Sequence, residues 1–386
     1  MKFNCLAVHL LSIPLVYALP SPLQRVSSTL LLNALAYQSP ESPTEIIAEI
    51  ESFVHLTDTG LSPFRAALRT LLQETLHITD PNQLNTAVER TKYFPAVPVP
   101  NAQTTISLAG CTEKKTRLPR TGLFKNIGFV SASASIYSCR FPLDKSRTFQ
   151  ITADAENPAI HATATATVFF SPPKGFGVIS DIDDTVKISN VHDKNLMLST
   201  MLYHESVAVP GMPELYTSLS KSLIADNILP QFVYISGSPF QLFPFLSSFI
   251  EQHFQNANGP ILLRPFSITN PRFLFDLLWK GAKADQGKLD YKLGQIERVN
   301  KIYPEKGFLL IGDEGEQDPE VYAKAYHKFG ERFVRCIWIR TIKDKSEGRE
   351  VRMDTVFKDI PKTKYRLFED HQIPGMQKID VAGGKC

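Results

Sequence analysis

The most constraining stretch of this chain reads Gly177-Val178-Ile179-Ser180-Asp181-Ile182-Asp183-Asp184-Thr185-Val186-Lys187. A short apolar run, with glycines behind it and acids ahead, is the pattern of a buried parallel strand whose carboxyl end carries chemistry. Two like charges about 4 Å apart repel by about 4 kcal/mol at an effective dielectric near 20, so an ordered cluster of this kind calls for a cation. Magnesium suits it. The ion takes oxygen ligands in an octahedron and can clamp a phosphate oxygen while carboxylates hold it. An EF-hand loop is excluded, because Val186 stands where the turn glycine would be and His192 where the bidentate glutamate would be. The acidic first turn of an ordinary helix remains open from this stretch alone.

Beyond Gly175 the chain alternates strand-like and helix-like segments, the signature of a parallel sheet with right-handed crossovers. The fold class expected is therefore α/β, with strands over 176–180, 231–236, 307–311 and 333–339 and helices over 213–224, 239–252, 291–302 and 319–329. Each further candidate residue lies at a strand end. Ser236 and Gly237 close the run Phe232-Val233-Tyr234-Ile235 before Pro239, and would offer a hydroxyl, an amide and a helix N-terminus to an anion. A plain Ser-Gly turn capping a helix fits the same letters. The strand ending Leu310-Ile311-Gly312 delivers Asp313 and then Asp318, two more carboxylates near the first cluster. Lys292, with Lys288 as the fallback, would offset their charge and steady phosphoryl oxygens. Gly175-Phe176-Gly177 precedes its strand, so it is no dinucleotide loop, and no P-loop pattern occurs.

The remainder divides by pattern. Residues 1–18 carry Lys2 and then a mostly apolar run ending Val16-Tyr17-Ala18, read as a secretory signal and too short to span a bilayer. Residues 19–95 read as helical, with Ile46, Ile47, Ile50, Phe53 and Val54 on one expected helix and Leu68, Leu71, Leu72 and Leu76 on another. Residues 96–172 change to alternating β-branched runs, expected as a small antiparallel β domain wet on one face. Residues 173–370 form the catalytic part and 371–386 a flexible, solvated tail. Forty-two basic against 39 acidic residues leave a formal charge of +3, which gives no basic field for nucleic acid. Cys111 and Cys139 could pair in an oxidising compartment, and Cys336, inside an apolar strand, reads as a buried inert thiol.

Taken together, Asp181-x-Asp183-x-Thr185, the strand-end Ser236, Lys292 and Gly312-Asp313 through Asp318 occur in the order used by haloacid-dehalogenase-like phosphatases. Adding Val209-Pro210-Gly211-Met212-Pro213-Glu214 and Ser236-Gly237-Ser238-Pro239-Phe240, the segment from Lys174 to Phe368 resembles the catalytic domain of the fungal actin-patch phosphatidate phosphatases. The resemblance implies a haloacid-dehalogenase-type Rossmann-like sheet and magnesium-dependent conversion of phosphatidate to diacylglycerol. It implies Asp181 as nucleophile, Asp183 as general acid and base, and Thr185 orienting it. Ser236, Gly237 and Lys292 would bind the phosphoryl group; Asp181, Asp183 through its carbonyl, Asp313 and Asp318 would form the metal shell. Glu314, where family members carry a small residue, would add a charge beside the metal. The expected partners are a phosphorylated lipid and a peripheral membrane surface, with location in the secretory pathway or outside the cell. A soluble phosphomonoester substrate, or a silent lipid- or protein-binding module, are the rival readings.

Overall fold

The computed structural model describes residues 27–42, 45–56, 69–70, 72–74, 77–94, 96, 98–109, 115–122, 129–137, 143–157, 160–265, 286–342 and 348–386. The expected signal at 1–18, Cys111 and Cys139 lie outside them, as do Leu68, Leu71 and Leu76.

The first half of the chain is a sheet. β1 (Ser27–Leu31), β2 (Ala34–Gln38) and β3 (Glu45–Leu56) precede helix α1 (Pro81–Thr91); β4 (Gln103–Leu108), β5 (Lys115–Arg117), β6 (Phe129–Tyr137), β7 (Arg147–Asn157) and β8 (Ile160–Phe170) follow. The strands lie in the order β1-β3-β2-β8-β7-β4-β5, with β6 on β3; every pairing is antiparallel except β2 with β8. The helix expected around 46–54 is thus strand β3, a correction with a plain cause. Ile46, Ala48 and Ile50 are fully buried while Ile47 and Glu49 alternate with them, so the period is two. Isoleucine is at home on such a pleated surface, and the polar faces of β3 and β6 meet through Ser133 Oγ donating to Glu49 at 2.7 Å. α1 is helical as the sequence indicates, starting at Pro81 behind an Asp80 cap.

The second half is the α/β unit: β9 (Phe176–Ser180), α2 (Lys194–Leu202), α3 (Met212–Ser222), β10 (Gln231–Pro239), α4 (Phe243–His253), β11 (Ile261–Arg264), α5 (Gln286–Ile302), β12 (Gly307–Asp313), α6 (Asp318–Phe333), β13 (Val334–Arg340), α7 (Arg349–Val356), β14 (Tyr365–Phe368) and the short α8 (Ile373–Met376). All six strands run parallel in the order β11-β10-β9-β12-β13-β14. β9 is central. From it the chain first builds one side, through β10 and β11, then crosses to the other, so the carboxyl ends of β10, β9 and β12 border a topological switch point, where open α/β sheets bind ligands.

Two expectations fail at the end of the chain. Residues 371–386 are packed: Ile373, Met376 and Val381 are buried in the same core cluster as Val178 and Met212. Cys336 is no free thiol but is bonded to Cys386, with Cα atoms 5.7 Å apart. Three apolar side chains spaced along a charged segment suffice to anchor it, because each buried one contributes about 1.5–3 kcal/mol. The first sheet also touches helix α5 of the α/β unit. Arg298 on α5 pairs with Glu49 at 3.2 Å and Glu51 at 2.7 Å on β3, and Tyr303 donates to the carbonyl of Ala36 at 2.8 Å.

Candidate active site

Asp181 sits just past β9, buried to 1% exposure, its amide held by the carbonyl of Ile311 on β12 at 2.9 Å. β12 ends at Asp313 and α6 opens at Asp318, both fully buried. One oxygen from each of Asp181, Asp313 and Asp318 lies within 4.8 Å of the others. Strand ends that are neighbours in space, β9 and β12, thus bring together acids far apart in sequence. Gly312 is needed beside them: a Cβ there would stand 2.5 Å from Asp318 Oδ2.

Lys292, from α5, enters this group from its interior. Its Nζ donates to Asp181 Oδ1 at 2.7 Å, Asp318 Oδ1 at 2.5 Å and Glu316 Oε2 at 3.2 Å. Lys288, one turn earlier, meets Glu316 Oε1 at 2.9 Å. Burial, helped by the surrounding carboxylates, pushes Asp181 and Asp313 well above the usual carboxylate range against the pull of Lys292. Glu316 goes the other way: burial works against its charge, yet Lys292 and Lys288 hold it down at about 2. Four carboxyl groups face two ammoniums, so full ionisation would leave negative charge uncompensated, and among the described residues Asp313 Oδ2 is buried without a hydrogen-bond partner. An all-oxygen group with an unsatisfied carboxylate oxygen fits a hard divalent cation such as magnesium.

The other predicted residues fall into a second cluster beside the first. Thr185 donates to Asp181 Oδ2 at 3.2 Å, so it touches Asp181 where the sequence reading gave it Asp183. The Asp183 side chain stands outside the three-carboxylate group and accepts hydroxyls: Ser236 at 3.1 Å and Ser238 at 3.3 Å on Oδ2, Ser189 at 2.6 Å on Oδ1. Gly237 packs against the stem of Lys288, 3.3 Å from where its Cβ would be. The helix N-terminus expected there lies further on. β10 runs to Pro239 through a register shift, a 3₁₀ turn covers Phe240–Leu242, and α4 begins only at Phe243. Glu314 is not among the three clustered carboxylates; it accepts from the amide of Ile342 and from Arg349 Nη2, each at 2.6 Å, so its charge is paired with Arg349. Ser189, Ser238, Lys187 and Glu316 were missed. Lys187 and Ser189 continue the acidic motif itself, and that proximity was the available signal.

Residues 176–341 match the family described as phosphatidate phosphatase APP1, catalytic domain. This segment is an APP1-type catalytic domain. The chain is 32% identical over 171 residues to phosphatidate phosphatase APP1 of Saccharomyces cerevisiae, covering 42% of this chain and 26% of that protein. It is 30% identical over 175 residues to an uncharacterized protein of Schizosaccharomyces pombe, covering 44% and 25%. The chain therefore spans about a quarter of the length of the curated relatives it matches. A solved β-glucuronidase of Parabacteroides merdae overlaps 84% of this chain and 38% of its own at 9% identity and TM-score 0.28, a likeness too slight to carry any argument. The APP1-type domain includes β9 through β13, and so every carboxylate and serine of both clusters.

Proposed function

We propose that the APP1-type domain is a magnesium-dependent phosphatase of the haloacid-dehalogenase type, that it forms an aspartyl-phosphate on Asp181, and that its substrate is phosphatidate. The observation that carries the proposal is Asp181 itself: a buried carboxylate at the switch point, 2.7 Å from a lysine ammonium, with a second carboxylate two residues on held by hydroxyls. A carboxylate so placed can attack phosphorus, turning one hard displacement into two easier ones. Lys292 screens charge on the phosphoryl oxygens as it now screens Asp181 and Asp318. Ser236 and Ser238 can turn their hydroxyls from Asp183 to the incoming phosphoryl group. Asp183 gives the departing oxygen its proton. A magnesium ion held by Asp181, Asp313 and Asp318 would supply Lewis-acid polarisation of a phosphoryl oxygen.

The lipid substrate is argued from the yeast relative's printed activity, and with it contact with a membrane surface. No helix among the described residues is long and apolar enough to cross a membrane. The Cys336–Cys386 bond supports location in the secretory pathway or outside the cell, since disulfides persist where the compartment is oxidising.

Asp181→Asn should abolish magnesium-dependent phosphate release while leaving the thermal transition in place. Phosphate release from phosphatidate in mixed micelles, compared with release from glycerol 3-phosphate, with and without magnesium, tests the substrate. Faster turnover of glycerol 3-phosphate would replace the lipid reading by a soluble phosphomonoester; turnover by the Asp181→Asn protein would refute Asp181 as the nucleophile, and no phosphate release by the native protein from either substrate would end the phosphatase reading.

A further inference from the structure

The two oxygens of the Asp183 carboxylate are held differently. Oδ1 accepts from Ser189 Oγ at 2.6 Å, and Ser189 Oγ lies 2.8 Å from Lys187 Nζ. An ammonium has only donors, so the Ser189 hydroxyl must accept from Lys187 and point its own proton at Asp183. Lys187 is 1% exposed and its Nζ lies 5.6 Å from the Phe245 ring centroid, so water does not compete for that charge. Ser189 is pinned through its backbone as well: its amide donates to Asp184 Oδ1 at 2.8 Å, the first of three consecutive amides that the Asp184 carboxylate receives. Oδ2, by contrast, has among the described residues only Ser236 at 3.1 Å and Ser238 at 3.3 Å, hydroxyls at an irregular strand end that can rotate away.

We propose that Oδ1 of Asp183 is a fixed oxygen and Oδ2 its working oxygen, and that Ser189 and Lys187 are positioning residues that enforce this division. The inference rests on the phosphatase reading above. A proton on Oδ1 would face the proton Ser189 already directs there, so the transferable proton resides on Oδ2. In the first step a lone pair of Asp181 bonds to phosphorus, and the bond from phosphorus to the ester oxygen breaks. The electron pair goes to that oxygen, which takes the proton from Asp183 Oδ2. Water then attacks phosphorus, the bond to Asp181 breaks, and Oδ2 recovers a proton from the water. Ser189 and Lys187 touch neither substrate nor phosphorus in this scheme; they act through Asp183.

Ser189→Ala, Ser189→Thr, Lys187→Met and Ser236→Ala test it on phosphatidate micelles and on p-nitrophenyl phosphate, whose leaving group departs without a proton. Ser189→Ala and Lys187→Met should lower kcat on phosphatidate by about tenfold or more with KM within about twofold, yet lower turnover of the aryl phosphate by less than about threefold. Ser189→Thr, which keeps a hydroxyl, should recover most of the loss. Ser236→Ala should instead raise KM on both. Equal losses on the two substrates, a change in KM alone, or no loss would overturn the division. Should Lys187→Met not fold, Ser189→Ala, one oxygen smaller, decides the matter. If the native protein prefers glycerol 3-phosphate, the comparison runs on that ester, since an alkyl leaving group needs the proton equally. Activity of Asp181→Asn would remove only the nucleophile assignment and leave the ratios to decide the division on Asp183, whereas no phosphate release by the native protein from any of these esters would remove the phosphatase reading and the division with it.

Discussion

Asp181 and Asp313 share a predicament that an ion would relieve. Both are buried among other carboxylates, and both bind protons more tightly than in an unfolded chain, where aspartate titrates near 4. A carboxyl raised in the fold contributes stability that is fully present below its unfolded value and is lost as pH rises through its folded value. The metal-free protein should therefore lose part of its stability as pH rises above the ordinary carboxylate range. Magnesium must displace those protons, so the rise in Tm on adding it should be larger at pH 8 than at pH 5.5, and a chelator should reverse it. Scanning calorimetry at the two pH values measures this; an equal shift at both would mean that the raised carboxyls are not the ligands. These residues were legible in the sequence because carboxylates at strand ends are conspicuous in apolar surroundings. Ser189 and Ser238 were not, since a serine gives no sign of its partner until the fold supplies one. Glu314 and Glu316 stand two apart in one turn, and only the positions of Arg349 and Lys292 decide which faces the site.

Among the elements, α5 does two jobs along one axis. Lys288 and Lys292, four apart, reach the carboxylates, while Arg298 and Tyr303 just past the helix end fasten the antiparallel sheet. Arg298 is the only cation recorded, among the described residues, pairing with Glu49 and Glu51. Arg298→Met leaves both largely desolvated and should cost about 2 kcal/mol, a partly exposed version of breaking a buried pair. A drop in the urea midpoint with an unchanged slope would register it; an unchanged midpoint would mean that the pairs are ornamental. The parallel strands β9, β10, β12 and β13 were readable as apolar runs before turns. β11 and β14 were not, with four residues each, too few for any period to declare itself. β3 was misread because isoleucines at 46, 47 and 50 satisfy a helical stripe as well as an alternating one; pairing with β2 and β6 resolves the tie.

At the scale of the whole molecule, the segment after β14 closes back on the core. Ser218 donates to the carbonyl of Gln377 at 3.2 Å, Arg335 to that of Ala382 at 3.2 Å, and Cys386 is bonded to Cys336 on β13. The bond closes a loop of 50 residues, and such a crosslink typically contributes about 2–4 kcal/mol. Cys386→Ser should lower Tm, and dithiothreitol should lower the Tm of the native protein while leaving the variant's unchanged. If the reductant moves both equally, the crosslink is not what it acts on.

Lys292 follows Asp181 by 111 positions, which has a bearing on how the molecule comes into being. While a ribosome is still feeding out the middle of the protein, the first acids already exist and the ammonium that makes them tolerable together does not. The reactive pocket cannot be rehearsed by a fragment that stops short of Lys292 and Asp318; it comes into existence only once both have been made.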